Sequence, residues 1–259
     1  MNVRYGSIGR IALATFLMLL SLTGWSQLGH TQGVAIDPQA EKILRRMTDY
    51  LSGLKRFSVR TQVTLEDLLE SGHRVDFDIS TRVLISRPNK LRAERKGDVI
   101  DQIFYYDGKT LTLYNPADKV YAAIRAPGTI EDMLHFAHDS LGLGLPAADL
   151  VHQNAFPLLM KDVTNAVVVG KAFINGVKCD HLLFSRPDLD FQVWVADKGR
   201  PLPYKYVVTD RGSEARISIV TVMSEWNSAP AAAQFNFVAP KGAKPIIFLQ
   251  VDTTGGTSR

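Results

Sequence analysis

Two periodicities divide this chain. Over residues 37–54, Ala40, Ile43, Leu44, Met47, Tyr50, Leu51 and Leu54 recur every three or four positions, the stripe of an amphipathic helix. Asp37-Pro38 supplies an N-cap and a proline for the first helical position. From Phe57 the period becomes two. Phe57, Val59, Val63 and Leu65 alternate with polar residues over 57–65, and Val75, Phe77, Ile79, Val83 and Ile85 do so over 75–85. Such alternation buries one strand face and leaves the other wet, as in antiparallel sheets. Residues 91–95, 102–106, 110–114 and 120–124 continue the pattern, with Asp107-Gly108 as a hairpin turn.

The helical period returns over residues 128–148, where Ile130, Met133, Leu134, Phe136, Ala137 and Leu141 are apolar and Thr129 stands as N-cap. Gly142, Gly144 and Pro146 break this segment, and short helices are predicted at 146–152 and 156–161. Strands resume near Val167. Asn175-Gly176 joins residues 170–174 to 177–185, and strands are predicted at 191–196, 204–209, 216–226 and 235–238. No linker is long enough to separate two domains. The predicted fold is therefore one α+β domain over residues 34–251, with an N-terminal helix, many antiparallel strands and helices inserted midway. Residues 252–259 read as a polar, disordered tail.

The N-terminus changes the picture. Arg4 and Arg10 precede an apolar and small-residue run at 11–22. That run is shorter than the roughly 20 residues that span a bilayer. Residues 1–33 therefore read as a secretory signal peptide, which implies a periplasmic protein with no stable membrane span after cleavage. Losing Arg4 and Arg10 takes the formal net charge from +4 to +2. No Lys/Arg run exceeds two residues, so nucleic acid is not an expected partner. Cys179 is the single cysteine, which excludes an internal disulfide.

Candidate catalytic chemistry is sparse. His135 and His138 share a helix face as a metal would require, but no third ligand is identifiable, and a solvated face is the preferred reading. Ser52-Gly-Leu-Lys55 matches an S-x-x-K string without the companion motifs of penicillin-binding enzymes. Cys179 and His181 share one strand face, where a buried, inert thiol is the commoner outcome. Asp76, Asp78, Asp101, Asp188 and Asp190 fall on polar strand positions. Phe104, Tyr105, Tyr106, Tyr114 and Tyr121, near Arg92, Arg95 and Lys96, are read as aromatics facing the inside of the sheet. No enzyme activity, cofactor or metal is expected.

Several segments resemble the LolA/LolB-like superfamily of periplasmic lipoprotein carriers. These are Leu51-Ser-Gly-Leu-Lys-Arg-Phe-Ser58, Arg87-Pro88-Asn89-Lys90-Leu91-Arg92, Tyr106-Asp107-Gly108-Lys109-Thr110-Leu111 with Tyr114-Asn115-Pro116, and Trp194-Val195 followed by Gly199-Arg200-Pro201-Leu202-Pro203. Within that superfamily the chain looks closest to a group of predicted periplasmic proteins of unknown function, which shares the helix start Ala126-Pro127-Gly128-Thr129-Ile130. The resemblance implies an antiparallel half-barrel with lid helices on its concave face. It also implies non-covalent binding of an apolar ligand, a lipid or lipoprotein acyl chain. By period two, the sheet would present Val63, Phe77, Ile79, Leu111, Phe184 and Val193 to that ligand, and the insert Met133, Phe136, Leu141, Leu143 and Leu159. The alternative is a filled core in a module that binds an envelope protein.

If the N-terminal reading is right, N-terminal sequencing of the periplasmic fraction will find a soluble chain starting between Ser26 and Val34. An intact Met1 on a membrane-bound product would contradict it.

Overall fold

The computed structural model describes residues 35–98, 100–227 and 235–248. The expected signal peptide and the polar tail lie outside these residues. Among them, thirteen strands form one open sheet. In chain order these are β1 (Ala35–Ile36), β2 (Arg56–Leu68), β3 (Arg74–Ser86), β4 (Lys90–Gly97), β5 (Asp101–Tyr106), β6 (Thr110–Asn115), β7 (Val120–Arg125), β8 (Asn165–Ile174), β9 (Val177–Ser185), β10 (Leu189–Ala196), β11 (Pro203–Asp210), β12 (Ser218–Asn227) and β13 (Lys244–Ile246). The spatial order is β1-β8-β9-β10-β11-β12-β2-β3-β4-β5-β6-β7-β13. Every pairing is antiparallel except the parallel edge pairs β1–β8 and β13–β7. This is the expected α+β half-barrel, an open antiparallel sheet with helices on its concave face.

The helices are α1 (Pro38–Gly53), α2 (Ile130–Leu141) and α3 (Ala155–Met160), with a 3-10 turn at Ala148–Val151 before α3. The Asp37 carboxylate accepts the Gln39 N–H at 2.8 Å and so caps α1. The Thr129 hydroxyl accepts the Asp132 N–H at 3.1 Å and caps α2. Gly142 ends α2 in the left-handed conformation, and the Leu143 N–H reaches back to the Ala137 carbonyl at 2.9 Å. The helix therefore stops at Leu141, at the first of the breaks expected from Gly142, Gly144 and Pro146.

Helices and sheet form two packed pads. In the first, α1 lays Ala40, Ile43, Leu44, Met47 and Leu51 against Leu182 and Phe184 of β9 and Phe191, Val193 and Val195 of β10, with Leu150 and Leu159 beside them. Phe184 and Phe191 stack there at 4.7 Å. In the second, α2 lays Ile130, Met133, Ala137 and Leu141 against Ile85, Leu91, Ala93, Phe104, Tyr106 and Leu111.

Two expectations need correction. Residues 235–238 do not form a strand, and β13 lies further on at Lys244–Ile246. Phe237 instead packs among Tyr105, Tyr114 and Tyr121, with ring centroids 5.4, 5.5 and 4.9 Å away. Those tyrosines were expected inside the sheet. Register puts them on the outer face, because Tyr105 is opposite Thr112 and Tyr114 is opposite Tyr121, out of phase with buried Phe104, Tyr106 and Leu111.

Phe184→Ala removes half of the stacked pair from the first pad. It is expected to cost about 3–5 kcal/mol in urea unfolding. A cost within experimental error of zero would mean the pad is not packed as described.

Candidate functional site

Between the pads the concave face is bridged by residues 142–147, which have no regular structure. Beneath this strap lie two neighbouring voids. The larger, of about 550 Å³, is lined by Leu65, Arg95, Leu134, His135, His138, Leu143, Leu158, Tyr206, Val208, Ile219 and Thr221, among others. The smaller, of about 80 Å³, runs between Val59, Val63, Thr81, Val83, Leu91, Ala93 and Trp226. Both are lined by Arg95, Leu134, Leu145, Pro146, Ala147 and Ala148. The floor is the middle of the sheet, strands β12, β2, β3 and β4, and the walls are the two pads.

An ion pair holds the strap and its flanking helices to the sheet. Arg87, just after β3, meets the Glu131 carboxylate of α2 at 3.1 Å, with side chains only 7% and 15% exposed. Arg87 also donates to the Val151 carbonyl at 2.6 Å, and Glu131 accepts the Gln153 N–H at 3.0 Å. Burial pushes the Arg87 guanidinium below its ordinary value, and the Glu131 charge and hydrogen bond oppose that shift. One strand end thus fastens both sides of the strap.

The floor itself is not purely apolar. Arg95 sits on β4 in phase with buried Leu91 and Ala93 and is 9% exposed. Its Nη1 donates to the strap's Gly144 carbonyl at 3.4 Å, and its guanidinium lies 5.8 Å from the Phe104 ring centre. Among the described residues it makes no ion pair. Burial alone pushes its pKa down. Thr81 is its cross-strand partner on β3, Thr61 is opposite Thr81 on β2, and both are buried. Thr221 on β12 is buried, and its hydroxyl has no hydrogen-bond partner.

The expected ligand residues divide between cavity and pads. Val63 lines the smaller void and Leu143 the larger. Leu111, Met133 and Leu141 are buried in the second pad, with Phe136 packed against it, while Leu159, Phe184 and Val193 are buried in the first. Ile79, opposite Val63, is buried, and Phe77, opposite Leu65, is half-buried. Sequence reasoning missed Arg95, Thr61, Thr81, Thr221 and Tyr206 as lining residues. The available signal was Arg95 at an inward position of an alternating strand.

The other candidate groups are placed as follows. His135 and His138 are exposed, as a solvated face requires, and lie at the mouth of the larger void, where the His135 ring is 5.8 Å from that of His152. Among the described residues no cluster of three or more His, Cys, Asp or Glu side chains is placed to hold a metal. Cys179 is buried, and its thiol is pushed up to about 11 by burial, then by Asp197 and Asp180. His181 does not pair with it but stacks on Trp194 at 4.0 Å, with Nε2 2.8 Å from the Gln192 side-chain oxygen.

A family match extends over residues 40–249, most of the sheet and every helix. The chain belongs to the family described as Predicted periplasmic protein (DUF2092). This agrees with the resemblance to such a group read from residues 126–130. No match is found among curated proteins. Among solved structures, the chain is similar to LprF from Mycobacterium bovis, at 15% identity and a TM-score of 0.48, covering 81% of this chain and 99% of that one. It is similar to lipoprotein LppX from Mycobacterium tuberculosis, at 16% identity and a TM-score of 0.44, covering 77% and 100%. It is also similar to a LolA superfamily protein from Nitrosomonas europaea, at 13% identity and a TM-score of 0.35, covering 74% and 94%. Among the described residues no helix is long and apolar enough to cross a membrane.

Arg87→Met leaves the Glu131 carboxylate buried without its cation. The expected loss is about 3 kcal/mol, the low end for a broken buried pair, because Glu131 keeps its bond from Gln153. Amide exchange of residues 130–153 should quicken at the same time. Unchanged exchange there would show that this pair does not hold the strap.

Proposed function

We propose that this protein is an exported, periplasmic binding protein that holds an apolar ligand, a lipid or an acyl chain, between its sheet and its strap without transforming it. The observation that carries this reading is the chamber of about 550 Å³ left between two well-packed pads. Its volume falls within the roughly 300–1,000 Å³ of small-molecule sites. Most of its wall is apolar, with Leu65, Leu134, Leu143, Leu158, Val208 and Ile219 on different elements. Carbon chains placed there leave water at a gain of about 0.8 kcal/mol per CH₂ buried. The strap, which begins at Gly142 and contains Gly144, is the segment that would move to admit the chain. The family description supports the periplasmic placement. A protein-binding module with a filled interior would not need this chamber.

The test uses a neutral, environment-sensitive hydrocarbon such as diphenylhexatriene. Wild type should bind it saturably. Leu143→Trp, which places an indole in the larger void, should abolish binding with little change in urea stability. If wild type binds nothing and the variant loses roughly 1–3 kcal/mol, as overpacking a core does, the space is not a ligand chamber.

A further inference from the structure

A chamber built only for hydrocarbon would have an apolar floor. This floor carries a guanidinium. Arg95 offers five N–H donors, and the protein gives it one acceptor, the Gly144 carbonyl at 3.4 Å. Arg87 and Arg186 each keep a buried Nε without a partner, yet their terminal nitrogens are better matched than those of Arg95. Arg87 has Glu131 and the Val151 carbonyl, and Arg186 donates to the Leu158 and Leu159 carbonyls at 2.8 Å each. Asp149, the one carboxylate lining the larger void, is exposed and makes no ion pair with Arg95. A buried charge is normally paired, so the unmatched cation marks the place of an anion.

The surroundings fit an oxygen anion. Arg95, Thr81 and Thr61 form one cross-strand row, each step being about 4.8 Å. Thr221, in the next inward row opposite Val63 and three strands from Arg95, lines the larger void as Arg95 does, and its buried hydroxyl has no partner among the described residues. A hydroxyl and a guanidinium fork together suit carboxylate or phosphate oxygens, which accept bidentate bonds from arginine. Arg95 also lines both voids.

We propose that the chamber takes an amphiphile with an anionic oxygen head group, carboxylate or phosphate, held by Arg95 beside Thr61, Thr81 and Thr221, with its carbon chain along the apolar walls. This rests on the apolar-ligand reading and adds the polarity and position of the head. The exposed histidines at the mouth take no part in holding it.

The experiment titrates the mature chain with cis-parinaric acid and with its methyl ester, which share one fluorescent tail. The acid should bind wild type about ten- to hundredfold more tightly, the range of a charge-assisted hydrogen bond to a buried cation. Arg95→Gln should remove the difference between acid and ester. Monododecyl phosphate should displace the acid better than dodecanol, and inorganic phosphate should not displace it. Equal binding of acid and ester by wild type overturns the head-group assignment while leaving the apolar-ligand reading intact. Displacement by inorganic phosphate as effective as by monododecyl phosphate overturns the amphiphile in favour of a free anion. Binding of neither probe removes the apolar-ligand reading and this inference with it. Should Arg95→Gln fail to fold, the wild-type comparison of acid with ester decides alone.

Discussion

Covering one face of a very wide sheet is the constraint on which the rest of the structure depends. Thirteen strands at about 4.8 Å spacing make a surface on the order of 58 Å across if flattened, while a helix with its side chains is only about 10 Å wide. The three helices and one 3-10 turn among the described residues cannot cover that face. The chain covers the two flanks instead. Helix α1 with α3 serves β8 to β11, and α2 serves β3 to β6. The middle strands are left under an extended strap, and the chamber follows from that division.

The strap is defined by its ends. Gly142 stops α2 in a left-handed turn, so the chain leaves the helix before it can fill the gap. Arg87 then ties α2 and the following turn to the end of β3. Arg87 thus holds the chain at Glu131 and at Val151, on either side of the strap at residues 142–147. The floor below contains a guanidinium that meets the Gly144 carbonyl at 3.4 Å but no carboxylate, and a buried Thr221 hydroxyl without a partner among the described residues. An unsatisfied buried polar group costs about 1–3 kcal/mol. A fold selected only for stability would have apolar residues at Arg95 and Thr221, as it does at Ala93 and Met223 beside them.

Much of the fold was legible because its signals are local. Period two located nearly every strand, and Asn175-Gly176 turned where expected, with both residues at positive φ. Caps at Asp37 and Thr129 set the helix starts. The site was harder to see because periodicity assigns a residue to a face but not to a place along that face. Phe184 and Val193 face the concave side as expected, yet they lie under α1, whereas Val63 lies under the strap. Which stretch of the face stays uncovered depends on where the helices dock, and that is a tertiary fact. Phe237 misled for the same reason, since its aromatic neighbours come from three different strands. Arg95 was within reach of sequence alone. It continues the inward positions Leu91 and Ala93, and its charge at such a position was the signal for a site.

A lipid-like molecule held in the space under the strap should stay with the protein through gentle purification. Native mass spectrometry of protein prepared from periplasm without detergent tests it most directly. The expected result is a population heavier than the polypeptide alone, whose extra mass is released by organic solvent and identified as an acidic lipid. Polypeptide at its bare mass throughout, with nothing extractable, would contradict it.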